Sequence, residues 1–62
     1  MKKYYFKTSE NVYYGVVYCL DVPIVLNTRE PREAIIHYEN EIDKVVSLLL
    51  GQNIFADPTE IE

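Results

Sequence analysis

His37 is the only histidine of the chain. If the segment around it is helical, Glu33 and Glu41 flank it at i−4 and i+4. Carboxylates so placed raise an imidazole's pKa and orient it, as a general base requires. The same spacing brings no serine or cysteine beside it, so His37 is expected to be a solvated residue on the polar face of a helix. Cys19, the only thiol, lies inside an apolar stretch, where a thiol behaves as a small hydrophobe rather than a nucleophile. Glu39 and Asp43 stand one helical turn apart, with Glu41 between them in sequence. Paired carboxylates can bind a metal or imitate DNA phosphates, but without His or further Asp partners they read as a charged helix rim. One cysteine and one histidine cannot complete a zinc site. No catalytic residue, metal or cofactor is therefore expected.

The six tyrosines are a signal of another kind. Tyr4, Tyr5, Tyr13, Tyr14, Tyr18 and Tyr38 offer wide, stiff contact area with a polar tip, which suits interfaces. Tyr5, Tyr13, Val17 and Cys19, with the acids Glu39, Glu41 and Asp43, are the residues expected at a dimer or partner interface.

These residues need elements to position them. Lys2 to Thr8 alternates aromatic and polar side chains as a half-buried strand does, and Ser9-Glu10-Asn11 follows as a turn. A second strand runs from about Val12 to Leu20 and is apolar on both faces, with Val12, Tyr14, Val16, Tyr18 and Leu20 on one and Tyr13, Val17 and Cys19 on the other. Asp21-Val22-Pro23 punctuates it, because Pro23 cannot donate to a ladder. Ile24-Val25-Leu26 is expected as a short third strand ending at Asn27-Thr28. A helix is predicted from near Pro31 to Leu50, with Ile35, Tyr38, Ile42, Val45 and Leu49 recurring every three or four residues and Gly51 as the stop. Ile36 and Leu50 fall outside that stripe. Beyond Gly51, the tail 52–62 has an optional edge strand at Gln52-Asn53-Ile54-Phe55, a break at Asp57-Pro58-Thr59, and mobile last residues. The fold class is α+β: three antiparallel strands and one helix, forming a domain over 1–51.

One helix covers one sheet face. The other face of the second strand must then meet a second copy or a partner. A chain of 62 residues also has only a marginal core, and a single cysteine rules out an internal disulfide. A homodimer or higher oligomer is expected. Ten acidic residues against six basic ones give a net charge of −4, which disfavours direct nucleic-acid binding and suits a basic protein partner. No apolar run approaches the roughly 20 residues of a membrane span, and the start is too short and polar for a signal-peptide core. The expected compartment is a reducing cytoplasm.

Tyr4-Tyr5-Phe6, the run Tyr13-Tyr14-Gly15-Val16 through Asp21-Val22-Pro23, then Arg32-Glu33-Ala34-Ile35 and Gly51 to Pro58, follow one another in a familiar order. In this respect the chain resembles the HicB-type antitoxin domain and its small stand-alone relatives. It departs from them in having Ile24-Val25 where Gly-Cys is usual and in lacking a Gly before the helix. Longer members add a DNA-binding C-terminal part, for which nothing remains after Glu62. The resemblance implies a β-β-β-α fold, self-association and masking of a small RNA-acting partner. The expected function is thus a non-enzymatic inhibitor module. The alternatives are a phage-encoded DNA mimic that blocks a host or defence protein, or a small-ligand protein or enzyme with a dimer-interface pocket lined by Tyr and His37.

Overall fold

In the computed structural model, which describes residues 1–61, an antiparallel sheet carries one helix on one face. The strands are β1 (Lys3–Lys7), β2 (Tyr13–Cys19), β3 (Val22–Thr28), β4 (His37–Tyr38) and β5 (Asp57–Ile61), and the helix is α1 (Ile42–Leu50). The α+β class is as expected, with five strands rather than three.

β1 is the hub. It pairs with β5 along its whole length, from Lys3↔Ile61 to Lys7↔Asp57. Because a strand has two edges, its other partners share the remaining one: β2 at Phe6↔Tyr14 and Lys7↔Tyr13, and β4 at Lys3↔Tyr38 and Tyr4↔His37. β2 leaves β1 after Tyr14, and β4 fills the gap. β3 completes the other side of β2 from Tyr13↔Thr28 to Cys19↔Val22. Asn11, at φ 61°, makes the β1–β2 turn, and the Thr8 hydroxyl accepts from the amides of Glu10 and Val12.

Side-chain alternation then sorts the two faces. Phe6, Val16, Val45 and Leu49 form the buried core, with Tyr14, Val25, Ile42, Val46, Leu48, Ile54 and Ala56 packed around them. The helix therefore covers the Val16 face of β2. Farther along that face, the Lys44 ammonium sits 4.7 Å above the Tyr18 ring. The opposite face carries Tyr5, Tyr13, Gly15, Val17 and Cys19.

Several expectations are corrected here. The helix starts at Ile42, not near Pro31. Pro31–Glu33 is a single 3₁₀ turn, His37 and Tyr38 are extended, and Glu39–Glu41 is a second 3₁₀ turn. Ile35 and Tyr38 have helical spacing but serve the sheet. Ile35 lies against the open Cα of Gly15, where a Cβ would collide with its side chain. The Tyr38 amide donates to Glu41 Oε1 at 2.7 Å, which fixes the start of the turn leading into α1. Gly51 has right-handed φ −60°, and the left-handed residue beyond the helix is Asn53 at φ 61°. There the Ile54 amide returns to the Leu49 carbonyl at 2.9 Å. The punctuation after β2 is Leu20–Asp21, and Pro23 lies within β3.

The tail strand is Asp57–Ile61 rather than 52–55, and Asp57-Pro58-Thr59 does not interrupt it. Tyr4 and Phe6 direct their backbone groups toward β4 and β2, so Lys3, Tyr5 and Lys7 direct theirs toward β5. Pro58 faces Phe6, a position where that ladder needs no amide. The expectation of mobility falls partly on Glu62, outside the described residues; 57–61 form a full strand of the sheet.

Candidate interaction surface

The β2–β3 hairpin projects past the end of β1, and its outer half is bare on the face away from the helix. Val17, Val22, Ile24 and Leu26 are all exposed large apolar residues there, and Cys19 is exposed among them. At the tip, Leu20 and Asp21 form a two-residue loop with φ 50° and 65°. Positive φ at both positions is the type I′ geometry, which matches the twist of the strands and favours Asn-Gly. Asp tolerates it. Leu does not, at a cost of about 1–2 kcal/mol, and Leu20 is 94% exposed. Within the monomer its side chain recovers none of that cost by burial.

The inner half of the same face is roofed by the segment 31–36. Between that roof and β3 lies an open depression of about 260 Å³ bordered by Tyr13, Gly15, Leu26, Thr28, Glu33 and Ile35. Gly15 borders it, but the space over its Cα is taken by the Ile35 side chain.

The outer edge of β3 is the second element of the surface. The Val16 amide points away from β3, toward His37, so Val16↔Val25 is a non-hydrogen-bonded pair of that ladder. Val25 and Asn27 accordingly turn their backbone groups to the open edge. Pro23 shares this parity and removes one donor, a device that shortens an edge available to other strands.

The expected interface residues separate into three groups. Val17 and Cys19 lie on the bare face. Tyr13 is buried within the chain and Tyr5 is half-buried, their rings meeting edge-to-face at 4.9 Å, so Tyr13 is a wall of the depression rather than open contact area. Glu39, Glu41 and Asp43 gather at the start of α1, which packs on the opposite face; Glu39 and Asp43 are exposed and Glu41 partly so. Glu33 borders the depression instead, so the acids divide between two surfaces. Val22, Ile24 and Leu26, paired with Cys19, Val17 and Gly15, belong to the bare face and were not expected there, and Leu20 sits in the loop at its tip. Their signal was the alternation of Val22, Ile24 and Leu26, hidden by Pro23. Ile36 and Leu50, outside the expected stripe, are both exposed.

His37 is corrected outright. It is 3% exposed and sits in β4, not on a helix. Its Nε2 accepts the Val16 amide at 3.1 Å, in place of the carbonyl that a continuing β1–β2 ladder would supply. Because Nε2 accepts, the proton of the neutral ring is on Nδ1, 3.7 Å from Glu41 Oε1. The ring also meets Phe6 edge-on at 5.7 Å. Burial holds its pKa below the ordinary 6.5, and the Glu41 carboxylate only partly opposes this. With its lone pair engaged by Val16, the imidazole has a structural task, and it does not border the depression.

Among the described residues no group of three or more His, Cys, Asp and Glu is arranged to hold a metal, and no helix is long and apolar enough to cross a membrane. Compared with family models, with curated proteins and with solved structures, the chain finds no match.

Proposed function

We propose that this chain is a cytoplasmic protein-binding module that associates with itself and masks a basic, nucleic-acid-acting protein, in the manner of the HicB-type antitoxins it resembles. The observation that carries this reading is the bare apolar face of β2–β3 on so small a domain. Contiguous apolar surface of this kind marks binding sites. The net charge of −4 and the acids at the start of α1 supply attraction for a cationic partner. The module binds rather than catalyses. The DNA-mimic alternative gains less support, because the acids divide between two surfaces.

The test is capture of a partner on the immobilised chain, followed by binding kinetics. A basic partner should associate more slowly as salt rises. Neutralising Glu39, Glu41 and Asp43 together should lower the association rate more than it raises dissociation. Tight, salt-sensitive binding of the purified chain itself to DNA or RNA would overturn the reading.

A further inference from the structure

Between Val16 and Val45 the chain has a single buried residue, His37. The rest of 29–40 is exposed apart from the half-buried Ala34 and Ile35. None of it belongs to the core of Phe6, Val16, Val45 and Leu49 or to the side chains packed around that core. The segment leaves the outer strand β3, crosses the face of β2 opposite α1 with Ile35 over Gly15, and rejoins the sheet at β4. It is a strap, and a histidine is its one buried anchor.

The other attachments are slight. The amides of Glu30, Glu33 and Ala34 bond within the segment or to Thr28. His37 and Tyr38 pair with Tyr4 and Lys3 of β1, and the Glu39 amide donates to the Lys2 carbonyl at 3.1 Å. His37 Nε2 ties the strap to β2 as well, by accepting the Val16 amide at 3.1 Å. That tie exists only for the neutral ring. A proton on Nε2 takes up the lone pair that holds the Val16 amide, and two N–H groups then face each other.

The surroundings do little to compensate the charge. Among the described residues Glu41 is the one charged group acting on the ring; its carboxylate, 3.7 Å from Nδ1, opposes the effect of burial only in part. β1 offers the edge-on Phe6 ring. α1 gives Val45 and Leu49 to the core beside Phe6, while its Lys44 ammonium lies over Tyr18.

We infer that His37 latches this strap, and that a proton on its imidazole releases 29–40 from the sheet while β1, β2, β3, β5 and α1 stay folded. Release uncovers the buried Tyr13 and Gly15 and joins them to Val17, Ile24 and Leu26 in one longer face. The extent of the candidate interaction surface is thus set by pH, whichever partner it takes.

Native-state hydrogen exchange of the full chain in low urea tests this. The Val16 and Glu39 amides should share an opening whose free energy hardly changes with urea, whereas the α1 amides should follow global unfolding. From pH 7 to pH 5 that opening should become more populated, by up to about 25-fold, the limit set by a histidine that titrates at 6.5 once exposed. No other imidazole contributes, since His37 is the only histidine. His37→Gln keeps an acceptor without the titration and should abolish the pH dependence. Ile35→Ala, which loosens the strap without altering the ring, should raise the opening at both pH values and leave their ratio unchanged. Exchange of Val16 and Glu39 only through global unfolding overturns the proposal, as does an opening that does not grow in acid. Both readings need the wild-type chain alone, so they stand even where His37→Gln fails to fold. A folded His37→Gln chain with the wild-type pH dependence overturns it too.

Discussion

The two ends of β2 illustrate opposite uses of the same strand chemistry. At Tyr14–Val16 every group is engaged: Tyr14 pairs with Phe6, the Val16 side chain enters the core, and the Val16 amide is taken by an imidazole carried on another strand. At Val17–Cys19 equally apolar residues meet β3 and solvent, apart from the Lys44 ammonium over the Tyr18 ring. Apolar character did not determine burial. What differs is whether a second layer reaches that far, and α1 and the roof segment each cover only part of the sheet. Substitutions in the first region should act on folding, and those in the second on association.

The largest effect should come from Phe6→Ala. This side chain is fully buried at the hub strand, and its loss should cost about 3–5 kcal/mol, enough to unfold so small a domain in a denaturant titration. His37→Ala should come next, at about 2–3 kcal/mol, because it leaves the Val16 amide buried without an acceptor. If His37→Ala left the urea midpoint unchanged, the contrast between the two ends of β2 would fail. His37→Gln, which retains an acceptor, should recover part of the loss.

The same histidine gives a pH dependence whose sign follows from its lowered pKa. The folded chain holds the ring neutral, while the unfolded chain takes up a proton as pH falls below 6.5. The His37 contribution to stability is therefore complete above that pH and declines below it, levelling off only once the folded chain is protonated too. Urea midpoints at neutral and mildly acidic pH should differ more for the wild-type chain than for His37→Gln.

Gly15→Ala should be destabilising by about 1–3 kcal/mol through its collision with Ile35, and Ile35→Ala in the same chain should relieve much of that strain. The smallest effect on folding belongs to the bare face. Val22→Ser should shift thermal stability by no more than about 0.5 kcal/mol while reducing any self-association seen by light scattering. A large loss of stability in the dilute monomer would mean that the face is not bare.

The sheet's first hairpin, the two-sided apolar character of β2 and the α+β class were all legible, because alternation over five to seven residues leaves few options. The helix start was not. Ile35, Tyr38 and Ile42 recur as a helical stripe would, yet Gly15 offers Ile35 a place on the sheet and Glu41 caps Tyr38, and both depend on residues distant in space until the chain folds. His37 was misplaced for the same reason, since its partner is a backbone amide twenty-one positions away. The bare face was legible only in part. Val17 and Cys19 were visible as apolar residues on one side of a strand apolar on both, with no sign of which side the helix takes, whereas Leu20 became significant only through its backbone angle. Prolines misled twice, at Pro23 and Pro58, because a strand needs an amide only on the edge that is paired.

The pairing of β1 with β5 also has a bearing on how the molecule comes into being. Lys7 meets Asp57, so one side of the hub strand finds its neighbour only across some fifty intervening positions. Contacts this distant in sequence slow folding, since the loop must close before the ladder forms. The first hairpin closes over a short loop and can form before 57–61 docks. Until then one edge of an aromatic strand is open to any other extended chain.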